Sequence, residues 1–384
     1  MRPNLRPITQ CEDLAGKRVL VRVSVNVPVV DGVVQNQFRL LRGLGTINYL
    51  TQAGAKVIMF GHISNTKETE KTESLQPVFD VLQQHIPQLS LCSEIATPMT
   101  KDKIEAMQNS DVLLLENVRR DPREKKNDAD FARAIADLGD MYVNDAFAVS
   151  HRSHASVVGV PQFLPSYAGL NFMHEYQELT KALEPAAPAL FMLGGAKFDT
   201  KMPLVEKYLE VYQSVFIGGA LANDFFKVQG HEVGDSLVSD AIDAEAMKQM
   251  MENPKLILPT DVTVLGPHGV RTVKPDQVEK DERILDAGPE TVAMLAPKIA
   301  EARTILWNGP FGDYEHGFDK ITLDVAKLVA DATGYSILGG GDTIAAIEHL
   351  GCQEKYGFMS TAGGAMLHYL EHGTLPAIQA LVSE

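Results

Sequence analysis

Cysteine is scarce in this sequence: Cys11, Cys92 and Cys352 are the only three among 384 residues, and they share no metal-ligand spacing. Scattered thiols exclude a disulfide scaffold and a cysteine-held zinc site, and they suit a reducing compartment. Long apolar runs are missing as well. No stretch approaches the ~20 residues that cross a bilayer. The opening Met-Arg-Pro-Asn-Leu-Arg lacks the apolar core of a signal peptide. A soluble cytoplasmic protein without a membrane partner is therefore expected. Positive charge is in deficit, with 35 Lys and Arg against 50 Asp and Glu, a net charge of -15. A nucleic-acid partner would require a basic surface, so that class is excluded. If so acidic a chain binds anions, its basic residues must be gathered locally. Two nucleotide signatures are absent too: there is no G-x-x-x-x-G-K-[ST] and no G-x-G-x-x-G with its acidic partner.

What is present is an ordinary globular composition, 45% hydrophobic and 22% charged, in a chain too long for one core. Short β-branched runs at 17–23, 55–60, 111–115, 140–144, 188–193, 214–217, 304–307 and 335–338 read as buried strands. Helical periods fall between them at 38–52, 75–86, 128–138, 201–211, 318–332 and 342–350. This alternation predicts an α/β fold: two parallel-sheet domains of Rossmann-like type, helices on both faces, with ligands at the carboxyl ends of the strands. Residues 166–184 read as a helix joining the two, opened by Ser166 as a possible cap and closed by Pro185 and Pro188. The domains are then 1–165 and 185–371, with a tail over 372–384.

In the second half, four glycine segments each follow a predicted strand and precede a predicted helix. They are Gly194-Gly195, Gly218-Gly219, Gly339-Gly340-Gly341 and Gly363-Gly364. Glycine lets backbone approach a ligand, and the next helix aims free N–H groups at an anion. One such segment is ordinary packing; four on one sheet edge point to nucleotide phosphates. Lys197 and Lys201 stand four apart at a helix start, where both can reach the same phosphate region or simply be solvated. Asp342, just after three glycines, is placed to cap a helix or to hold Mg²⁺ carried by a nucleotide. The segment Trp307-Asn308-Gly309-Pro310 holds the only tryptophan and reads on propensity as a loop.

The first half offers Arg39, His62, Arg119 and Arg152, each at or beyond the end of a predicted strand or turn. Any single arginine is more simply a surface ion pair. Four on one edge of an acidic protein suggest an anion site, because guanidinium suits both carboxylate and phosphate. His151 and His154 lie in no H-E-x-x-H pattern and near no cysteine, so metal is not expected there.

The segments KRVLVRVSVNVPV, LLLENVR, EKKNDADFA, YVNDAFAVSHRSHAS, GGAKFDTK, WNGPFG, LGGGDT and STAGGA, in this order, resemble the phosphoglycerate kinase family nearly end to end. The resemblance implies a phosphotransferase of glycolysis, moving a phosphoryl group reversibly between ATP and 3-phosphoglycerate, with ADP and 1,3-bisphosphoglycerate as the other pair. It implies an N-terminal domain for the acid, a C-terminal domain for Mg-nucleotide, hinge bending about the joining helix and a monomer. The acid site would comprise Asn26, Arg39, His62, Arg119 and Arg152, with Ser24 and Asn65 at two further family positions. Lys197, Lys201, Gly219, Asn308, Glu315, Gly340, Gly341, Asp342 and Thr343 would serve the nucleotide. Glu315 would hold the ribose and Asp342 the Mg²⁺. Arg39, Lys197, Lys201 and the helix start at Gly363 and Gly364 would stabilise the transferring phosphoryl group.

The chain departs from the family pattern at four places. Ser24 stands for an aspartate, Asn65 for a substrate-facing arginine, Ala362 for a glycine, and Phe-Gly-Asp-Tyr for a more apolar stretch before Glu315. Loss of one arginine–anion contact is worth ~1.5–3 kcal/mol. Two alternatives follow from it: a nucleotide-binding paralogue with impaired catalysis, or a kinase of another small carboxylic acid.

Overall fold

The run Val19-Leu20-Val21 is wholly buried, and its strand, Arg18–Arg22, lies inside a six-stranded sheet. The computed structural model describes residues 3–64, 73–196, 201–240 and 242–382. Across this first sheet the order is Leu89–Cys92, Val112–Leu115, Lys56–Phe60, Arg18–Arg22, Met141–Asn144 and Ser166–Ala168, all parallel. Parallel strands covered on both faces need near-continuous apolar sequence; Val112–Leu115 and Met141–Asn144 are buried at every position.

A second six-stranded parallel sheet runs Leu256–Ile257, Ser214–Ile217, Ala189–Leu193, Thr304–Asn308, Tyr335–Gly339 and Phe358–Met359. A three-stranded antiparallel sheet, Gly269–Val273, Val262–Gly266 and Arg283–Ala287, accompanies it. In both large sheets the first strand in the chain has later strands on either side. Such strand-order reversals leave a crevice at the carboxyl ends, where ligands bind. The predicted α/β class with two parallel sheets is what the structure has.

The chain forms two compact units, Met1–Gln177 with Thr374–Glu384, and Glu178–Gly373. The first has its core around Val19, Val21, Val57 and Leu114. The second packs Trp307 flat against Phe311, ring centroids 5.2 Å apart. The chain passes between the units within the helix Leu170–Leu183. Among the described residues no helix is long and apolar enough to cross a membrane.

Two helix expectations change in detail. The segment 38–52 forms two helices, Phe38–Arg42 and Leu44–Gln52, parted at Gly43. The segment 166–184 opens as a strand, Ser166–Ala168, and turns helical only at Leu170. Ser166 does not cap that helix, because its hydroxyl donates to the Leu164 carbonyl at 2.9 Å. Buried Asp145 does the work instead. Its Oδ1 accepts the N–H groups of Asn171 at 3.0 Å and Phe172 at 3.1 Å, which the free amides of a first helical turn require.

Candidate active site

At the carboxyl edge of the first sheet, a buried arginine organises the surroundings. Arg22 ends its strand only 1% exposed. Its Nε donates to Ser156 Oγ at 2.9 Å, one terminal nitrogen to the Val23 carbonyl at 2.6 Å, and the other contacts His62 Nδ1 at 2.7 Å. Glu124, fully buried, accepts from the Ser156 hydroxyl at 2.5 Å and its amide at 2.9 Å. Arg119 sits just past Val112–Leu115, in a short turn whose amide is held by Asn117 Oδ1 at 3.1 Å. Arg119 Nε is buried with no hydrogen-bond partner among the described residues.

Electrostatics show how these cations crowd one another. Burial, and then the charges of Arg152 and Arg22, push the Arg119 pKa down to about 10. Burial followed by Arg119, Arg152 and Arg22 pushes His154 down to about 4. Burial and then Arg22 hold His62 far below the usual imidazole range. Every charge in the group therefore makes the others more costly, and an anion placed among them would relieve all of them at once.

Asn26 and Arg39 lie in the same unit. Arg39 donates to the Asn26 carbonyl at 2.5 Å, and Asn26 Oδ1 accepts the Ser64 amide at 2.9 Å, two residues beyond His62. Burial lowers the Arg39 pKa, opposed by Glu175. Ser24 is half-buried, whereas Arg152 is exposed. Asn65 lies outside the described residues. Hydrogen bonds and mutual charge thus bring together His62, Arg119 and Arg152, and join Asn26 with Arg39.

In the second unit the glycine segments form the carboxyl edge. The Gly194 amide donates to the Asn308 carbonyl and the Gly195 amide to the Pro310 carbonyl, both at 2.8 Å, so two strand ends are laced together. Gly219, Gly340 and Gly363 take the cap positions of the helices Ala220–Val228, Gly341–Leu350 and Gly364–His372. None of these caps has a side chain, although the Leu221 amide donates to the Gly195 carbonyl and the Ala365 amide to the Ala362 carbonyl, both at 3.1 Å; the positive ends of the helices still face this edge. At Gly219 the backbone has φ +62°, and a Cβ there would lie 2.7 Å from the Gly195 nitrogen. No other residue fits that turn.

A cavity opens beside this edge. Gly219, Glu315 and Asp342 line it, together with the apolar Phe226, Leu237 and Leu285. Lys201, Asn308, Gly340, Gly341, Thr343, Gly363 and Gly364 do not line it. Lys201 Nζ instead donates to the Gly194 carbonyl at 2.9 Å, and burial lowers its pKa to about 8. Asn308 is buried with its amide towards Met366, and Thr343 Oγ1 accepts the Gly309 amide at 3.0 Å. Lys197 lies outside the described residues. Asp342 is not the cap that its place after three glycines suggested. Gly340 takes that position, and Asp342 sits in the first turn with its residue exposed. No group of three or more His, Cys, Asp or Glu that could hold a metal occurs among the described residues. An exposed carboxylate on the cavity suits Mg²⁺, which takes one or two carboxylates plus phosphate oxygens.

Arg22, Ser156 and Glu124 were not singled out from sequence. A signal existed for the first: a charged residue at the fourth place of Val19-Leu20-Val21-Arg22-Val23, in a strand otherwise fit for burial.

Known proteins resemble this chain over nearly its full length. The family model described as phosphoglycerate kinase matches residues 8–373. The phosphoglycerate kinase of Xanthobacter flavus is 39% identical, covering 98% of this chain and 98% of its own. That of Maricaulis maris is 41% identical, covering 97% and 96%. Among solved structures, the phosphoglycerate kinase of Coxiella burnetii superposes with TM-score 0.85 at 35% identity, covering 98% of this chain and 99% of its own. That of Pyrococcus horikoshii OT3 gives 0.86 at 28%, covering 98% of each.

Proposed function

Because this chain belongs to the phosphoglycerate kinase family and is a phosphotransferase, we propose that it transfers a phosphoryl group between ATP and the carboxylate of 3-phosphoglycerate. In the reverse direction the acyl phosphoryl group of 1,3-bisphosphoglycerate passes to ADP, giving ATP and 3-phosphoglycerate. The acid takes the cation-rich edge of the first unit, with His62, Arg119, Arg152, Asn26 and Arg39 around it. The nucleotide takes the glycine edge of the second, with Glu315 at the ribose and Gly219, Gly340, Gly341 and Thr343 shaping the approach. Asp342 would hold the Mg²⁺ carried by the nucleotide, which would supply charge neutralisation at the phosphates. The same reading has the protein working as a cytoplasmic monomer.

One observation carries the acid half of this reading: Arg119, whose buried Nε has no hydrogen-bond partner among the described residues, sits in a cluster of like charges. Burial and the mutual repulsion of Arg119, Arg152 and Arg22 make such a cluster costly, and an anionic ligand offsets that cost. Phosphoryl transfer needs positioning and stabilisation of spread negative charge more than covalent help. Lys201, Lys197, Arg39 and the helix start at Gly363 and Gly364 supply it. Reactants carried by separate units must meet at ~3–3.5 Å, so the reading includes a closing movement about the helix Leu170–Leu183.

The test is initial rates with Mg-ATP and a panel of acids that includes 3-phosphoglycerate, for the wild type and for Ser24→Asp with Asn65→Arg. Turnover of 3-phosphoglycerate above the other acids supports the proposal. No wild-type turnover, with nucleotide binding intact and activity restored in the double variant, would make the chain a nucleotide-binding relative. Preference for another acid would reassign the acceptor.

A further inference from the structure

We propose that Arg22 is a positioning residue that fixes the His62 ring neutral and in one tautomer, with its proton on Nε2. The inference concerns how the acid site is prepared, and it rests on the reading that the acid binds beside His62.

The geometry leaves one arrangement. A guanidinium only donates hydrogen bonds, so the nitrogen it approaches must offer a lone pair. The nitrogen at 2.7 Å from Arg22 is His62 Nδ1. A neutral ring with an unprotonated Nδ1 carries its proton on Nε2. A second proton would set N–H against N–H inside the protein. His62 is 2% exposed, so no water can take over that contact.

Arg22 is itself held on its other side. Its Nε donates to Ser156 Oγ at 2.9 Å, and that hydroxyl donates onward to Glu124 at 2.5 Å. The Ser156 carbonyl accepts from the Tyr142 hydroxyl at 3.0 Å. Glu124, Ser156, Arg22 and His62 thus form a buried line assembled from four separate stretches of chain. The charged and titratable groups acting on His62 are Arg22, Arg119, Arg152 and His154, and those acting on Arg22 are Glu124 and Tyr142. Every group acting on His62 disfavours its protonation.

The consequence is a neutral donor in a cluster of cations. His62 Nε2–H can give a hydrogen bond to a carboxylate, phosphate or hydroxyl oxygen of the acid. It contributes direction where Arg119 and Arg152 contribute charge. Its capacity to donate does not vary across the range in which ordinary histidines titrate.

Nitrogen-15 NMR of His62 in the full chain tests this directly. In the wild type, Nε2 should be the protonated nitrogen and the ring should not titrate between about pH 5 and 8, where a free imidazole would. Adding 3-phosphoglycerate should move the Nε2 resonance. In Arg22→Met the ring should begin to titrate. The KM for 3-phosphoglycerate should then rise about ten- to a hundredfold, with nucleotide KM unchanged. Arg22→Lys, which keeps a donor, should recover part of the loss. Should Arg22→Met fail to fold, Ser156→Ala frees one side of Arg22 and should loosen the tautomer in part. A wild-type ring protonated on Nδ1, or titrating normally, overturns the proposal. If the ring is as stated but 3-phosphoglycerate shifts resonances elsewhere and leaves His62 unmoved, the Arg22–His62 lock stands and the location of the acid is what fails.

Discussion

The ammonium of Lys201 donates to the carbonyl of Gly194 at 2.9 Å, at the glycine edge of the second sheet. Burial lowers its pKa to about 8, so the group is already partly stripped of water before a phosphate arrives. A charge prepared in this way acts strongly on an incoming anion.

Lys201→Ala should lower kcat by about a hundred- to a thousandfold, the range for removing one preorganised donor, with little change in thermal stability. In the free enzyme the active form is the protonated one. The kcat/KM for nucleotide should therefore fall as pH rises through about 8, and bound phosphate should shift the kcat profile to more alkaline pH. Steady-state rates across pH 6.5–9.5 check both; an unchanged turnover in Lys201→Ala would remove Lys201 from catalysis.

Arg119→Ala should act on the acid alone. Losing a charged hydrogen bond is worth ~1.5–3 kcal/mol, so KM for 3-phosphoglycerate should rise about ten- to a hundredfold. Relief of like-charge crowding should at the same time leave the fold as stable or slightly more so. Calorimetric titration of acid and nucleotide separately would reveal an unwanted effect on the nucleotide.

Asp145 gives a pH dependence of stability with an unusual sign. Burial raises its pKa to about 7, opposed by the Phe172 amide first among its hydrogen bonds. The unfolded value is ~3.9, so the folded chain binds more protons between these limits. The contribution is full below about pH 4 and is lost as pH rises towards 7. Asp145→Asn should flatten that fall in urea denaturation midpoints measured from pH 4 to 8.

Gly219→Ala tests the tight turn. The added methyl would stand 2.7 Å from the Gly195 nitrogen at φ +62°. Strain of this kind costs ~1–3 kcal/mol, visible as a lower denaturation midpoint. Nucleotide affinity should fall in the same variant, whereas acid affinity should hold.

Sequence reading reached the sheets because their strands are buried on both faces and so carry uninterrupted apolar runs. It reached the glycine turns because only glycine allows such approaches. It missed the start of the helix Leu170–Leu183, since its anchor, Asp145, lies 26 residues before Asn171. It could not give side-chain direction either. Asn308 and Thr343 sit in the expected segments, yet one turns towards Met366 and the other binds Gly309. The charge of Arg22 inside an apolar strand is visible locally, but its partner Ser156 is 134 residues away. Contacts of that range are written in the fold rather than in any local pattern.

The first unit takes its last piece from the far end of the chain: the helix Pro376–Leu381 belongs to it, with the Ala377 amide on the Ser150 carbonyl at 3.1 Å. During synthesis this unit emerges first but cannot be finished until residues 374–382 have been made. The second unit is contiguous from Glu178 to Gly373. At ~5–20 residues per second, the roughly 200 residues between take ~10–40 s. For that interval a nearly whole domain waits on the ribosome with one seam open, and the part made second is the first able to close.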